Sequence, residues 1–112
     1  MHHVSLTVDD VDAALSFYVD VLGLVARTDR PDFGFAGAWL DAGGGEVHLI
    51  QGTPPDDRGQ HFALRVADLD ATVGELRGRG LTVTDPIPVG PGHQAFLSDP
   101  SGNTVELIQP GR

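Results

Sequence analysis

The sequence predicts an α+β fold built from two βαβββ modules whose strands form curved mixed sheets, with the helices to one side. Three observations predict it. Short runs alternate apolar and polar residues with period two, and two longer stretches carry apolar residues at spacings of three and four. The chain also superposes on itself when shifted by 58 positions (61 − 3 = 58; 106 − 48 = 58). Under that shift His3–Ala14 meets His61–Thr72 with six identities in twelve, and Glu46–Gln51 meets Thr104–Gln109.

The elements follow in order. Val4, Leu6 and Val8 alternate with His3, Ser5 and Thr7, so residues 2–8 form a half-buried strand. Asp9 or Asp10 caps a helix whose apolar stripe is Val11, Ala14, Leu15, Tyr18 and Leu22, and Gly23 stops it. Residues 24–28 are a second strand, 30–34 a loop, 36–42 a third strand, Gly43-Gly44-Gly45 a turn, and 46–51 a fourth strand. The order then repeats: a strand at 61–66, a helix from the Asp68 cap through about Arg79 to Gly80, and a strand at 81–84. A Pro- and Gly-rich loop spans 85–92, followed by strands at 93–98 and 104–109 around the tight turn Asp99-Pro100-Ser101-Gly102-Asn103. Residues 1–112 thus read as one domain, with module one at about 1–52, a polar linker at about 53–60 and module two at about 61–110.

Composition excludes several functions. A net charge of −9, from 16 acidic and 7 basic residues, repels phosphate backbones and argues against nucleic-acid binding. No apolar run approaches a membrane span. The first residues enter a strand with no charged region and apolar stretch ahead of it, so no secretory signal is visible and a cytoplasmic location is expected. With no cysteine, any metal must be held by nitrogen and oxygen donors.

Face parity isolates the chemistry. Side chains alternate along a strand, so the face carrying Val4, Leu6 and Val8 packs under the helix and His3 points away. By the same parity His61 opposes Phe62 and Leu64, His48 opposes Val47 and Leu49, and Glu106 opposes Val105 and Leu107. The shift of 58 pairs His3 with His61 and His48 with Glu106. Three imidazoles and one carboxylate at equivalent places of a duplicated unit suit a divalent ion such as Ni, Zn, Co, Fe or Mn. Each residue alone has an ordinary reading as a surface or hydrogen-bonded group, and the joint pattern outweighs it. His2 falls on the Val4 face and His93 begins a strand after a Gly-rich loop, where it can touch substrate. Trp39, Phe33, Phe35 and Phe96 supply apolar surface for a pocket wall, with Trp39, Phe35, His93 and Phe96 as the substrate-binding candidates.

These residues resemble the vicinal oxygen chelate superfamily, which includes glyoxalases, bleomycin- and fosfomycin-resistance proteins and extradiol dioxygenases. The resemblance covers nearly the whole chain. It rests on His3–Val8 with Asp10, on Ala14-Leu15-Ser16-Phe17-Tyr18 leading to Leu22-Gly23-Leu24, on His61 with Val66 and Asp68, and on Asp99-Pro100-Ser101-Gly102-Asn103-Thr104-Val105-Glu106-Leu107. It implies metal ligands at His3, His48, His61 and Glu106, in a cavity between the curved sheets that leaves coordination sites open for a substrate with vicinal oxygens. One residue departs from the pattern: glyoxalases usually carry Glu or Gln where His48 stands.

The expected reaction is a lyase or isomerase step next to a carbonyl, through a metal-stabilised enediolate, with Glu106 as ligand and general base. The alternatives are an iron-dependent extradiol-type dioxygenase and a non-catalytic, antibiotic-binding resistance protein of the bleomycin type. The expected partner is a small-molecule substrate. Exposed sheet edges on short modules predict a homodimer, with the modules pairing within one chain or between two.

Overall fold

The computed structural model describes residues 1–111. In chain order the elements are β1 (His3–Val8), α1 (Val11–Leu15) continued by a π-helical stretch (Ser16–Val21), β2 (Val25–Ala26), β3 (Gly37–Ala42) and β4 (Gly45–Gln51). They continue with β5 (His61–Arg65), α2 (Leu69–Gly78), β6 (Ile87–Val89), β7 (Gly92–Ser98) and β8 (Thr104–Gln109). The architecture is α+β with two four-stranded mixed sheets, ordered β1-β4-β3-β2 and β5-β8-β7-β6. The chain divides into two compact units: residues 1–58 with 99–103, and residues 59–98 with 104–111. The Asp99–Asn103 turn, although it sits in the second repeat, belongs to the first unit.

In the first unit β1 runs parallel to β4, while β3 is antiparallel to both β4 and β2. Val8, Leu40, Val47 and Leu49 close the core with Ala14 and Tyr18 from the helical segment, all essentially without solvent exposure. Burying each such aliphatic side chain contributes about 1.5–3 kcal/mol. Asp10 caps α1 by accepting from the Ala13 N–H at 3.0 Å. Asp99 ties the turn to this unit. Its carboxylate accepts from the backbone N–H groups of Ser101 and Asn103, both at 2.9 Å, and from the Tyr18 hydroxyl at 2.7 Å. The Asn103 amide donates to Thr7 O at 2.9 Å and to Asp99 at 3.0 Å.

The second unit repeats the arrangement. β5 is parallel to β8, and β7 is antiparallel to β8 and β6. Asp68 caps α2 through the Ala71 N–H at 3.0 Å, and Leu69, Val73 and Leu76 form the buried stripe that packs toward β7 and β8. Gly80 ends the helix at a φ of 87°, as Gly23 does in the first unit at 81°.

The strand expected at residues 81–84 is absent, and a strand stands at Ile87–Val89 where a loop was expected. Thr84 donates its backbone N–H to Phe96 O at 3.0 Å, but its hydroxyl rather than its carbonyl accepts from Phe96 N, at 2.8 Å. The Arg77 guanidinium takes the Val83 carbonyl at 2.7 Å, so no ladder forms. Downstream, Pro88 pairs opposite His93 on the edge strand β6, where a missing N–H costs no central ladder bond. The first helix also departs from expectation. After Leu15 it widens to π geometry, with the Leu22 N–H reaching back five residues to Phe17 O at 3.0 Å. Apolar spacing does not separate the two hydrogen-bond registers, since both bury Phe17 and Tyr18.

Candidate metal and substrate site

The ladder registers carry the 58-residue repeat into three dimensions. Ser5 lies opposite His48 in the β1–β4 pair, and Ala63 lies opposite Glu106 in the β5–β8 pair, each 58 positions further on. Across the hairpins Trp39 faces His48 and Phe96 faces Glu106. Each unit therefore brings one histidine at the start of its first strand to one potential ligand in its last strand, beside an aromatic side chain.

In the first unit the His3 and His48 rings stack at 3.9 Å and 14°. Trp39 stacks on the other face of His48 at 4.6 Å and 12°. The sandwich leaves His48 only 9% exposed although it points away from the Val47–Leu49 core. Its Nε2 donates to Glu46 Oε1 at 3.0 Å. That bond, opposed by desolvation, holds the Glu46 carboxyl below the usual carboxylate range, with smaller help from Arg27 and His2. His2 lies outside β1, so strand parity does not apply to it. Its Nδ1 sits 2.8 Å from His3 Nδ1 and its Nε2 3.7 Å from Glu46.

In the second unit His61 Nε2 lies 2.9 Å from Glu106 Oε1, and His61 Nδ1 lies 2.9 Å from the carbonyl of Gly59. Glu106 is 8% exposed. A neutral imidazole donates from one nitrogen only, so with Nδ1–H on Gly59 the Nε2 lone pair faces a carboxylate. A cation between them resolves the repulsion, whether a second proton or a metal ion. A backbone carbonyl fixing the ring through its other nitrogen is the usual support of a metal-binding histidine.

Among the described residues no cluster of three or more His, Cys, Asp or Glu side chains is placed to hold a metal ion, so each unit presents its candidates as a pair. Phe96 meets His61 edge to face at 5.5 Å. His93, by strand parity, lies on the opposite face of β7 with Ala95 and Leu97, and is exposed. Trp39 and Phe35 do come together, with Phe33, Arg30, Ser5 and His48, around a cavity of about 190 Å³ in the first unit.

Two of these residues escaped sequence reasoning. Glu46 stands two positions before His48, on the same strand face by parity, and that signal was available. Arg30 sits in a loop, and only folding brings its guanidinium over the Phe33 ring at 5.0 Å and the Phe35 ring at 5.4 Å. No described helix is long and apolar enough to cross a membrane.

Residues 1–107 match the family model described as Glyoxalase/Bleomycin resistance protein/Dioxygenase superfamily. The chain is 34% identical over 121 residues to a probable lactoylglutathione lyase of Synechocystis sp., covering 96% of this chain and 92% of that protein. It is 34% identical over 123 residues to lactoylglutathione lyase GLX1 of Arabidopsis thaliana, where it covers 97% of this chain but spans only 44% of the plant protein. Among solved structures, TnmS3, an antibiotic binding protein from Streptomyces sp. CB03234, superposes with a TM-score of 0.85 and 29% identity, covering 99% of this chain and 95% of that one.

Proposed function

Because the chain belongs to the Glyoxalase/Bleomycin resistance protein/Dioxygenase superfamily, we propose that it is a divalent-metal-dependent lyase or isomerase of the glyoxalase type, acting on a small substrate with vicinal oxygens. The observation that carries this reading is the buried Glu106 carboxylate held 2.9 Å from an imidazole nitrogen whose ring is already fixed by a backbone carbonyl. The similarity to proteins named as lactoylglutathione lyases supports it.

His3, His48, His61 and Glu106 would hold the ion, with the modules pairing within one chain or across a homodimer. When bound, a divalent ion supplies Lewis-acid stabilisation of the enediolate charge on two adjacent substrate oxygens. The chain's own groups do the rest. Glu106 removes the proton from the carbon beside the carbonyl and returns it to the neighbouring carbon. His61, anchored on Gly59 O, keeps that carboxylate oriented, with the Phe96 ring against its edge; within the other unit Trp39 covers one face of His48.

The test is elemental analysis followed by turnover of a hemithioacetal after loading with Ni, Co, Zn or Mn. Metal uptake and metal-dependent turnover are expected, with Glu106→Gln keeping the fold and losing turnover. Full activity in that variant removes Glu106 from the chemistry. A non-catalytic antibiotic binder is the second reading, favoured by the likeness to TnmS3 and by the lack of a three-donor cluster among the described residues. Protein that takes up none of these metals selects it. A sedimentation mass of one chain would refute the homodimer.

A further inference from the structure

The cavity of the first unit is lined by exposed aromatic rings and a guanidinium. Phe33 and Phe35, in the loop before β3, are 49% and 50% exposed although large aromatic side chains are normally covered. Their rings stack at 5.7 Å and 19°, and Phe33 reaches the Trp39 ring at 6.1 Å. The aromatic surface continues through Trp39 to His48. At its rim stands Arg30.

Arg30 differs from the other cations of this unit whose partners are defined. Arg27 is held by Asp29 and Asp41, at 2.7 and 2.9 Å. Arg30 makes no ion pair among the described residues; it donates to the Phe35 carbonyl at 3.1 Å and lies over the two phenyl rings. A guanidinium has five N–H donors in a planar fork that matches a carboxylate. Arg30 lines the cavity beside apolar walls, where a charge pair gains strength. In a chain of net charge −9, an arginine without a carboxylate partner beside exposed rings marks a place for an anion from outside.

We propose that this cavity binds a planar aromatic monocarboxylate, its ring against Phe33 and Trp39 and its carboxylate on Arg30. The inference deepens the proposed function and rests on His48 standing at the substrate site. The volume of about 190 Å³ lies below the range of about 300–1,000 Å³ usual for drug-sized ligands, which limits the ligand to one or two rings. A peptide-like substrate with two carboxylates would bring one more anion than the one arginine lining this cavity can neutralise.

Trp39 is the only tryptophan, so its indole N–H gives one isolated resonance from the cavity wall. The probes are 2-naphthoate, neutral 2-naphthylmethanol and aliphatic cyclohexanecarboxylate, titrated into the metal-free chain. A saturable shift of the indole signal with 2-naphthoate is expected, with cyclohexanecarboxylate weaker by about tenfold or more. Arg30→Gln should weaken 2-naphthoate by about tenfold while leaving 2-naphthylmethanol within about twofold. Phe33→Leu, which alters an exposed ring and spares the core, should weaken both naphthyl ligands. No indole shift, equal binding of the aliphatic acid, or unchanged 2-naphthoate affinity in Arg30→Gln overturns the proposal. Metal uptake measured on the same samples separates the two ideas. Uptake without naphthoate binding defeats the aromatic-acid pocket alone, whereas naphthoate binding without uptake upholds the pocket and defeats the metal-dependent reaction.

Discussion

The Tyr18 hydroxyl donates a 2.7 Å hydrogen bond to Asp99 Oδ2, joining a fully buried phenol from the π-helical stretch to the carboxylate at the head of the Asp99–Asn103 turn. Asp99 is 5% exposed, and both of its oxygens accept bonds from within the same unit. This is the physical reason for an aspartate at that turn: four donors converge on an almost fully buried carboxylate. Removing one donor leaves the charge under-satisfied. Tyr18→Phe should cost about 1.5–3 kcal/mol, the range for a hydrogen bond to a charged partner. Urea unfolding measures it, and a loss below about 0.5 kcal/mol would mean that the bond contributes little.

The same contact sets an alkaline limit. Tyr18 is pushed above its ordinary value of 10.0, first by burial, then by the Asp99 charge, then by the hydrogen bond. The sign follows directly. Below pH 10 both folded and unfolded states keep the phenol proton, and the contribution is fully present. Above pH 10 the unfolded chain releases a proton that the folded chain retains, so unfolding gains about 1.4 kcal/mol per pH unit. The background is simple, because all seven basic residues are arginine and the chain has no cysteine, lysine or second tyrosine. Wild-type stability should fall between about pH 10 and 11.5 with that slope, and Tyr18→Phe should be flat there. Parallel curves would dismiss Tyr18 as the source.

Helix capping offers an internal comparison. Asp10 and Asp68 occupy repeat-equivalent positions, each accepting from the N–H three residues on at 3.0 Å. The Asp68 backbone oxygen also accepts from the Thr72 hydroxyl at 2.9 Å, a bond that survives truncation of the side chain. Either residue changed to Ala should cost about 1 kcal/mol. Thermal or urea midpoints check this, and a cost near zero at both sites would deny the caps any role in stability.

The α+β class and the duplicated strand order were legible because a shift of 58 positions preserves both hydrophobic parity and ladder register. What stayed hidden depends on contacts between residues distant in sequence. Thr84 reads as strand, yet its hydroxyl takes the place that its carbonyl would occupy in a ladder. Pro88 reads as loop, yet an edge position tolerates it. Strand parity puts His48 on the face away from the core, and the rings of His3 and Trp39 cover it there. Arg30 carried no periodic signal, since loops have none.

Glu46 completes the surroundings of His48. The imidazole Nε2–H on Glu46 Oε1 leaves Nδ1 as the nitrogen able to bind a cation. A carboxylate on the far nitrogen both fixes the tautomer and raises ligand basicity; losing such a partner typically costs 10–100-fold in metal affinity. Glu46→Gln retains a carbonyl oxygen that accepts the same bond but loses the charge. It should therefore keep the fold and weaken metal uptake by about tenfold, with Glu46→Ala weaker still. Competition against a chelator measures both. Wild-type metal affinity in Glu46→Ala would show that His48 needs no orienting carboxylate, and that Glu46 serves only the β1–β4 surface.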